Sequence, residues 1–426
     1  MTEWRQTQLG EALDVRHGFA FKGEYFRDSG ELIVMTPGNF HDKGGFKPKS
    51  GKEKYYDGPV PEGYLLNSGD VVVAMTEQTP GLLGSTATIP ENRRYLHNQR
   101  LGLLRVTDPD KLDLRFCYHL LNAPAVRHQI QATATGSKVR HTAPERIRAV
   151  QVAVPDLRTQ QTAGGILDAV DGLIENSRRR IELLEQMAQA IYREWFVRFR
   201  YPGRADVALV DSPLGPIPEG WQVTTCGDVM TVLGGGTPSK KEPSYWDHGT
   251  VPWFTPSDLT RSRTRYASQP ALRITQEGLR NSSARLFRAG SVLMTSRATL
   301  GVLSVSTTDA SCNQGFIVIP PNDRWPPSFI YEWLDHHADE LEMLGTGATF
   351  KEITKGAFKR FPFLMPTPDV VKAFDNAVAP IEGEIRVLEE SRRTLEAVRD
   401  LLLPKLVTGE LDVSNLDLDA LVESVA

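Results

Sequence analysis

The feature that most constrains this chain is that one order of short segments occurs twice. Trp4 followed by Leu9-Gly10-Glu11 answers to Trp221 followed by Cys226-Gly227-Asp228. Ser68-Gly69-Asp70-Val71-Val72-Val73 answers to Ala289-Gly290-Ser291-Val292-Leu293-Met294, and Asn98-Gln99 to Asn313-Gln314. Thr135-Gly136-Ser137 then matches Thr346-Gly347-Ala348, and Val152-Ala153-Val154-Pro155 matches Phe363-Leu364-Met365-Pro366. Five pairs in one order, at offsets within about ten residues of each other, mark an internal repeat. Identity between the halves is low, so a shared scaffold with divergent surfaces is expected.

Each half is read as a mixed domain, over residues 1–155 and 221–366. Val71 to Met75 and Ser291 to Met294 follow Gly-containing turns and read as buried strands. Phe116–Leu121 and Phe329–Leu334 read as short helices. The fold class is therefore α+β.

A different periodicity follows each half. Leu167, Val170, Ile174, Ser177, Ile181, Leu184, Ala188, Ile191 and Trp195 recur at alternating steps of three and four, the seam of a coiled coil. The same spacing repeats as Phe374, Ala377, Ile381, Glu384, Leu388, Ser391, Leu395, Val398 and Leu402, with Val378 and Ile385 widening the stripe. Two long helices are expected over 156–199 and 367–404. Each seam spans about 43 Å at the α-helical rise. They most simply bury their stripes against each other as an antiparallel coiled coil, giving a pseudo-two-fold repeat of domain and helix. Gly164, Gly165 and Gly172 weaken the start of the first; Pro380 should bend the second and Pro404 should end it. Residues 200–220 are dense in Pro and Gly and read as an extended connector, and 405–426 as a tail.

Catalytic chemistry is hard to seat. There is no GxxxxGK[ST] loop, no GxGxxG turn, and no Asn/Asp-Pro-Pro-aromatic tetrapeptide. Gly234-Gly235-Gly236 before Lys240-Lys241 has the wrong spacing for a phosphate cradle, and His336-His337 lacks HExxH spacing. Asp156 and Asp369 each stand where a long helix begins, which suits capping. Three scattered cysteines make neither a disulfide framework nor a zinc knuckle. The expectation is a non-catalytic chain without cofactor or metal of its own. Met1-Thr2-Glu3-Trp4-Arg5 has no apolar signal core and no stretch reaches membrane-spanning length, so a cytoplasmic protein is expected.

What remains is polar and basic material in turns, suited to nucleic acid. In the first half it is Gln78, Asn98, Gln99, Arg100, Lys138, Arg140 and His141. In the second it is Lys240, Lys241, Ser296, Arg297, Asn313, Gln314, Thr349 and Lys351. Arg and Lys suit guanine edges and phosphates; Asn and Gln suit adenine. A net charge of -4 argues against a free-standing basic binder and leaves room for a partner sharing the phosphate contacts.

Three segments resemble the DNA-specificity subunits of type I restriction-modification systems. They are Met187 to Phe199 running into Tyr201-Pro202-Gly203, Leu214-Gly215-Pro216-Ile217-Pro218-Glu219-Gly220-Trp221, and Leu402 to Leu411. The resemblance implies two target-recognition domains, each reading one half of a split double-stranded DNA site, with the helices as spacer. It implies docking of two modification subunits that carry S-adenosylmethionine and methylate adenine. Two ATP- and Mg-dependent restriction subunits would translocate and cut. Other readings are a coiled-coil scaffold without DNA reading, and an orphan specificity subunit serving methylation only. Thr295-Ser296-Arg297 fits the family's strand-to-turn segment, whereas its counterpart near Gln78-Thr79-Pro80 is not basic.

Overall fold

The computed structural model describes residues 4–49, 51–78, 80–203, 207–347, 351–414 and 416. The chain divides into two compact units, Met1–Ile174 with Thr394–Ala426, and Glu175–Arg393. Each unit thus takes part of both long helices, Leu157–Tyr192 and Pro368–Thr408.

The first unit is built on a four-stranded antiparallel sheet in the order Leu13–His17, Leu101–Val106, Val71–Ala74, Thr86–Thr88. Its central strands are apolar at consecutive positions because both faces are covered. Val71, Val73 and Leu104 join a core with Leu9, Phe116, Leu167 and Leu406, while Val72, Ala74, Leu101 and Leu103 join one with Ile33, Phe40 and Leu66. Arg5–Gln8 pairs antiparallel with Gln151–Val154, the strand that runs into the first long helix.

The second unit has a five-stranded sheet ordered Leu233–Gly234, Phe316–Ile319, Val292–Arg297, Thr299–Ser306, Tyr266–Ala267. Val292 and Met294 face one core with Ile317 and Phe374, and Leu293 faces another with Phe254 and Val318. Gln222–Thr225 pairs antiparallel with Pro362–Met365, the strand before the second long helix. The segment read as an extended connector instead folds a short ladder, Leu209–Val210 with Ile217–Pro218, and buries Tyr201 and Ile217 in this core.

The first long helix begins under a cap. Asp156 accepts the Thr159 N–H at 3.0 Å, and that bond holds its carboxyl below the usual carboxylate range. Gly164 lets the first helix approach the short helix Leu114–Asn122, since a Cβ there would lie 3.1 Å from the Phe116 amide nitrogen. This is a packing reason for a glycine otherwise unfavourable in a helix.

The end of the second helix expected at Pro404 is not found: the helix continues past it to Thr408, stopping at the left-handed Gly409. Proline removes only its own amide bond, and burial of Leu403, Leu406 and Val407 around Pro404 offsets that loss. The stripe also does not copy the first helix position for position. Ala377 is exposed while Val378 and Ile385 are fully buried, and Val398 is 38% exposed while Arg399 beside it is buried against Asp171 at 3.4 Å. Leu167, Ile174, Phe374, Ile381 and Leu388 are buried. Ile181, Leu184, Ile191, Trp195 and Leu402 pack against the cores, and Val170 and Leu395 are half-buried.

In the second unit, Arg265 fastens the sheet edge to the helices. Its guanidinium is 1% exposed and donates to Glu332 at 2.7 Å and to Glu382, while its amide and that of Tyr266 donate to the Glu389 carboxylate. Glu332 Oε2 has no partner among the described residues. Burial, against the pull of Arg265, pushes the Glu332 carboxyl up to about 7. A carboxyl raised on folding contributes stability that is full below the unfolded value and lost as pH rises through the folded one. The second unit should therefore melt lower at pH 8 than at pH 5.5. Glu332→Gln, which keeps the acceptor for Arg265 and removes the ionisation, should flatten that dependence in thermal denaturation. An unchanged slope would contradict it.

Candidate nucleic-acid interface

In the first unit the backbone of Met75, just past the central strand, gathers three segments. Its N–H donates to the Arg100 carbonyl at 2.9 Å, and its carbonyl accepts the Thr142 N–H at 2.9 Å. Thr135 and His141 exchange two further bonds at 2.9 and 2.8 Å. This brings together the turns carrying Gln78, Asn98–Arg100 and Lys138–His141. Gln78, Gln99, Arg100, Lys138 and His141 are exposed, and Asn98 and Arg140 are half-buried.

Two of these candidates serve the fold. The Asn98 side-chain oxygen accepts the Arg100 N–H at 3.0 Å and shapes its own turn. Arg140 donates to Glu77 at 3.2 Å and to the Gln131 carbonyl. Glu77 is buried and accepts the N–H groups of Gly81, Leu82 and Leu83 at 2.9–3.0 Å. The buried Arg127 holds the other side of the same loop through the Leu83 carbonyl at 2.9 Å and the Gly81 carbonyl, and ties it to the Asp42 carbonyl at 3.0 Å. The loop after Glu77 is thus pinned by two ionic side chains whose backbone partners carry no charge.

The second unit repeats this wiring around Ser296. Its N–H donates to the Gly315 carbonyl at 2.8 Å, its carbonyl accepts the Ile353 N–H at 3.0 Å, and Thr346 and Glu352 exchange bonds at 3.1 and 2.9 Å. Arg297, Gln314 and Lys351 are exposed beside it, and Asn313 is half-buried, accepting the Gly315 N–H at 2.8 Å. The Ser296 side chain itself is buried, so its part is the backbone junction rather than a base contact. Lys240 and Lys241 are exposed on a loop tied to this place by Gly236 N–H to the Cys312 carbonyl, 2.9 Å, and Thr237 hydroxyl to Gln314, 2.7 Å. Thr349 lies outside the described residues.

An ion pair crosses the returning strand in each unit, with opposite polarity. In the first, the carboxylate is on the sheet side (Glu77) and the guanidinium on the returning strand (Arg140). In the second, Arg297 ends the sheet strand and Glu352 lies on the returning one, at 2.8 Å. The first carboxylate is 1% exposed, whereas Arg297 and Glu352 are 44% and 36% exposed.

The structure adds residues absent from the sequence reading. Phe19 N–H donates to the His97 carbonyl and Gln99 N–H to the Phe19 carbonyl, both at 2.9 Å, which sets exposed Arg16 and His17 near the Asn98–Arg100 turn. The Arg16 guanidinium lies 4.5 Å from the Tyr64 ring centre. The signal available was the basic-aromatic run Arg16-His17-Gly18-Phe19. His97 adds no charge here, since burial pulls its imidazole down to about 4.

The type I restriction modification DNA specificity domain model matches residues 1–186 and 218–377. The chain belongs to that family. The MjaIX specificity subunit of Methanocaldococcus jannaschii is 29% identical over 205 residues, 46% of this chain and 46% of that protein. The putative MjaX specificity subunit of the same organism is 22% identical over 365 residues, 82% and 80% of the two chains. The crystal structure of a type I restriction-modification S subunit from M. genitalium covers 95% of this chain and 96% of that one, with a TM-score of 0.59. At 13% identity this last likeness shows the fold alone. Members of the family supply specificity and are in general non-catalytic. Among the described residues no helix is long and apolar enough to cross a membrane.

Glu77→Ala would strand three amides and Arg140, and should cost about 2–5 kcal/mol of first-unit stability. Arg297→Ala should cost about 1 kcal/mol or less, because an exposed pair contributes little. Thermal denaturation of the two variants compares them directly; equal losses would contradict the distinction.

Proposed function

We propose that this chain is the sequence-reading subunit of a type I restriction-modification complex, with one half of a bipartite double-stranded DNA site read by each domain. The observation that carries this is the same backbone junction, around Met75 and around Ser296, in both family-matched segments. Each junction leaves divergent polar and basic side chains exposed, as two readers of different half-sequences require. The reading domains are residues 1–155 and 221–366, related by an internal repeat. The long helices Leu157–Tyr192 and Pro368–Thr408 form the spacer.

An antiparallel coiled coil is the arrangement that the helix contacts favour. Within the second unit Trp195 meets Phe374 at 5.9 Å between ring centres, and Arg180 pairs with Glu384. One helix therefore advances as its partner recedes. Catalysis belongs to partners: two modification subunits carrying S-adenosylmethionine for adenine methylation, and two restriction subunits using ATP and Mg. These act in the cytoplasm. The chain's modest charge suits a reader whose partners share the phosphate contacts.

The ~43 Å seam is somewhat longer than the roughly 34–36 Å of one DNA turn, the spacing at which two readers meet one face. Single-molecule methylation sequencing of a host carrying the complex should find a two-part target with an unread gap of about half a turn to one turn. A continuous target would sink the proposal. Removing one heptad from both helices should shorten the gap or abolish assembly, with both half-sequences unchanged.

A further inference from the structure

The polarity reversal between the two ion pairs has a functional consequence in the second domain. Glu77 holds three amides through Oε2 and Arg140 through Oε1, and with its carboxylate shut away from water, releasing Arg140 would leave a buried charge without its counter-ion. Among the described residues the Glu352 carboxylate pairs with Arg297. That carboxylate and the guanidinium are both solvent-accessible, and the backbone bonds between Thr346 and Glu352 and between Ser296 and Ile353 use neither side chain. A solvent-exposed pair of this kind is weak and is readily exchanged for a better acceptor.

Arg297 also stands where exchange is useful. It is at the end of the Val292–Arg297 strand, followed by Ala298 in the left-handed conformation (φ 63°), whose N–H donates to the Lys351 carbonyl. Exposed Lys351 and Gln314 flank it. A guanidinium presents a planar fork that matches paired acceptors, the O6 and N7 of guanine or two phosphate oxygens, better than a single mobile carboxylate.

We propose that Glu352 is an internal competitor for Arg297. In the free protein it occupies the guanidinium that DNA acceptors take in the complex, and it thereby sets the affinity and stringency of the second half-site. This rests on the DNA-reading function above and deepens it. Glu352 penalises weak complexes, because only a well-placed pair of DNA acceptors displaces it, while its own charge is repelled by nearby phosphates.

The test uses the full chain co-assembled with its modification subunits and duplexes bearing the mapped target, or the target with either half scrambled. Glu352→Gln should tighten binding about three- to tenfold, and Arg297→Ala should weaken it about tenfold or more, with the first half-site's base preferences unchanged in both. The double variant should bind like Arg297→Ala alone, since the competitor has nothing left to hold. A gain confined to the intact second half-site assigns the acceptor to a base edge; an equal gain on all duplexes assigns it to phosphate. Either supports the competitor role. A gain from Glu352→Gln that survives in the Arg297→Ala background would show general charge repulsion and overturn it. Weaker or unchanged binding by Glu352→Gln, with an unaltered melting temperature, would also overturn it. If the unmodified assembly fails to distinguish target from scrambled duplex, the DNA-reading function fails instead.

Discussion

Phe374 is fully buried among Tyr192, Trp195, Phe196 and Phe329, so residues from both long helices and from a globular domain share one core. In the other unit Leu167 and Leu406 meet Leu9, Val73 and Phe116 in the same way. A helix of alternating three- and four-residue apolar steps is unstable in water by itself, and its stripe must be covered. Here much of the cover comes from the domains, through the short helices Leu114–Asn122 and Pro327–His336. Domain and helix are therefore not separable pieces joined by a flexible link.

Charge refines what the apolar stripe begins. On the short helices, His119 in the first unit reaches Asp168 of the long helix at 2.7 Å. In the second unit Glu332, Glu382 and Glu389 converge on Arg265 and its backbone. A buried ion network is weak evidence for stability, because desolvation offsets most of the attraction. Its value is directional: only one placement of the sheet edge on the helices satisfies Arg265, whereas apolar packing tolerates several.

The candidate interface follows a similar division. Backbone bonds around Met75 and Ser296 fix where the turns go, leaving side chains at the rim to vary. One rim is locked by buried Glu77 and Arg127, and the other is held by an exposed pair. The two units thus differ in how tightly these rims are held.

Much of this was legible in the chain. The alternating three- and four-residue steps marked the two long helices, and Asn-Gln turns and basic runs marked loops that do converge. These are signals of local period and composition, which sequence carries directly. Which residues those loops keep for the fold was not legible. Arg140, Ser296 and Asn98 stand in the expected DNA-contact set, and the structure ties them to an ion pair with Glu77, a buried backbone junction and a self-made turn. Likewise Val398 gives way to Arg399, and the helix outlasts Pro404. Burial and pairing are decided by partners far away in sequence, Glu77 for Arg140 and Asp171 for Arg399, and no local pattern records such partners. The sequence determined the local periods and where the polar turns fall; the tertiary structure decided which charges are paired in building the fold and which stay exposed.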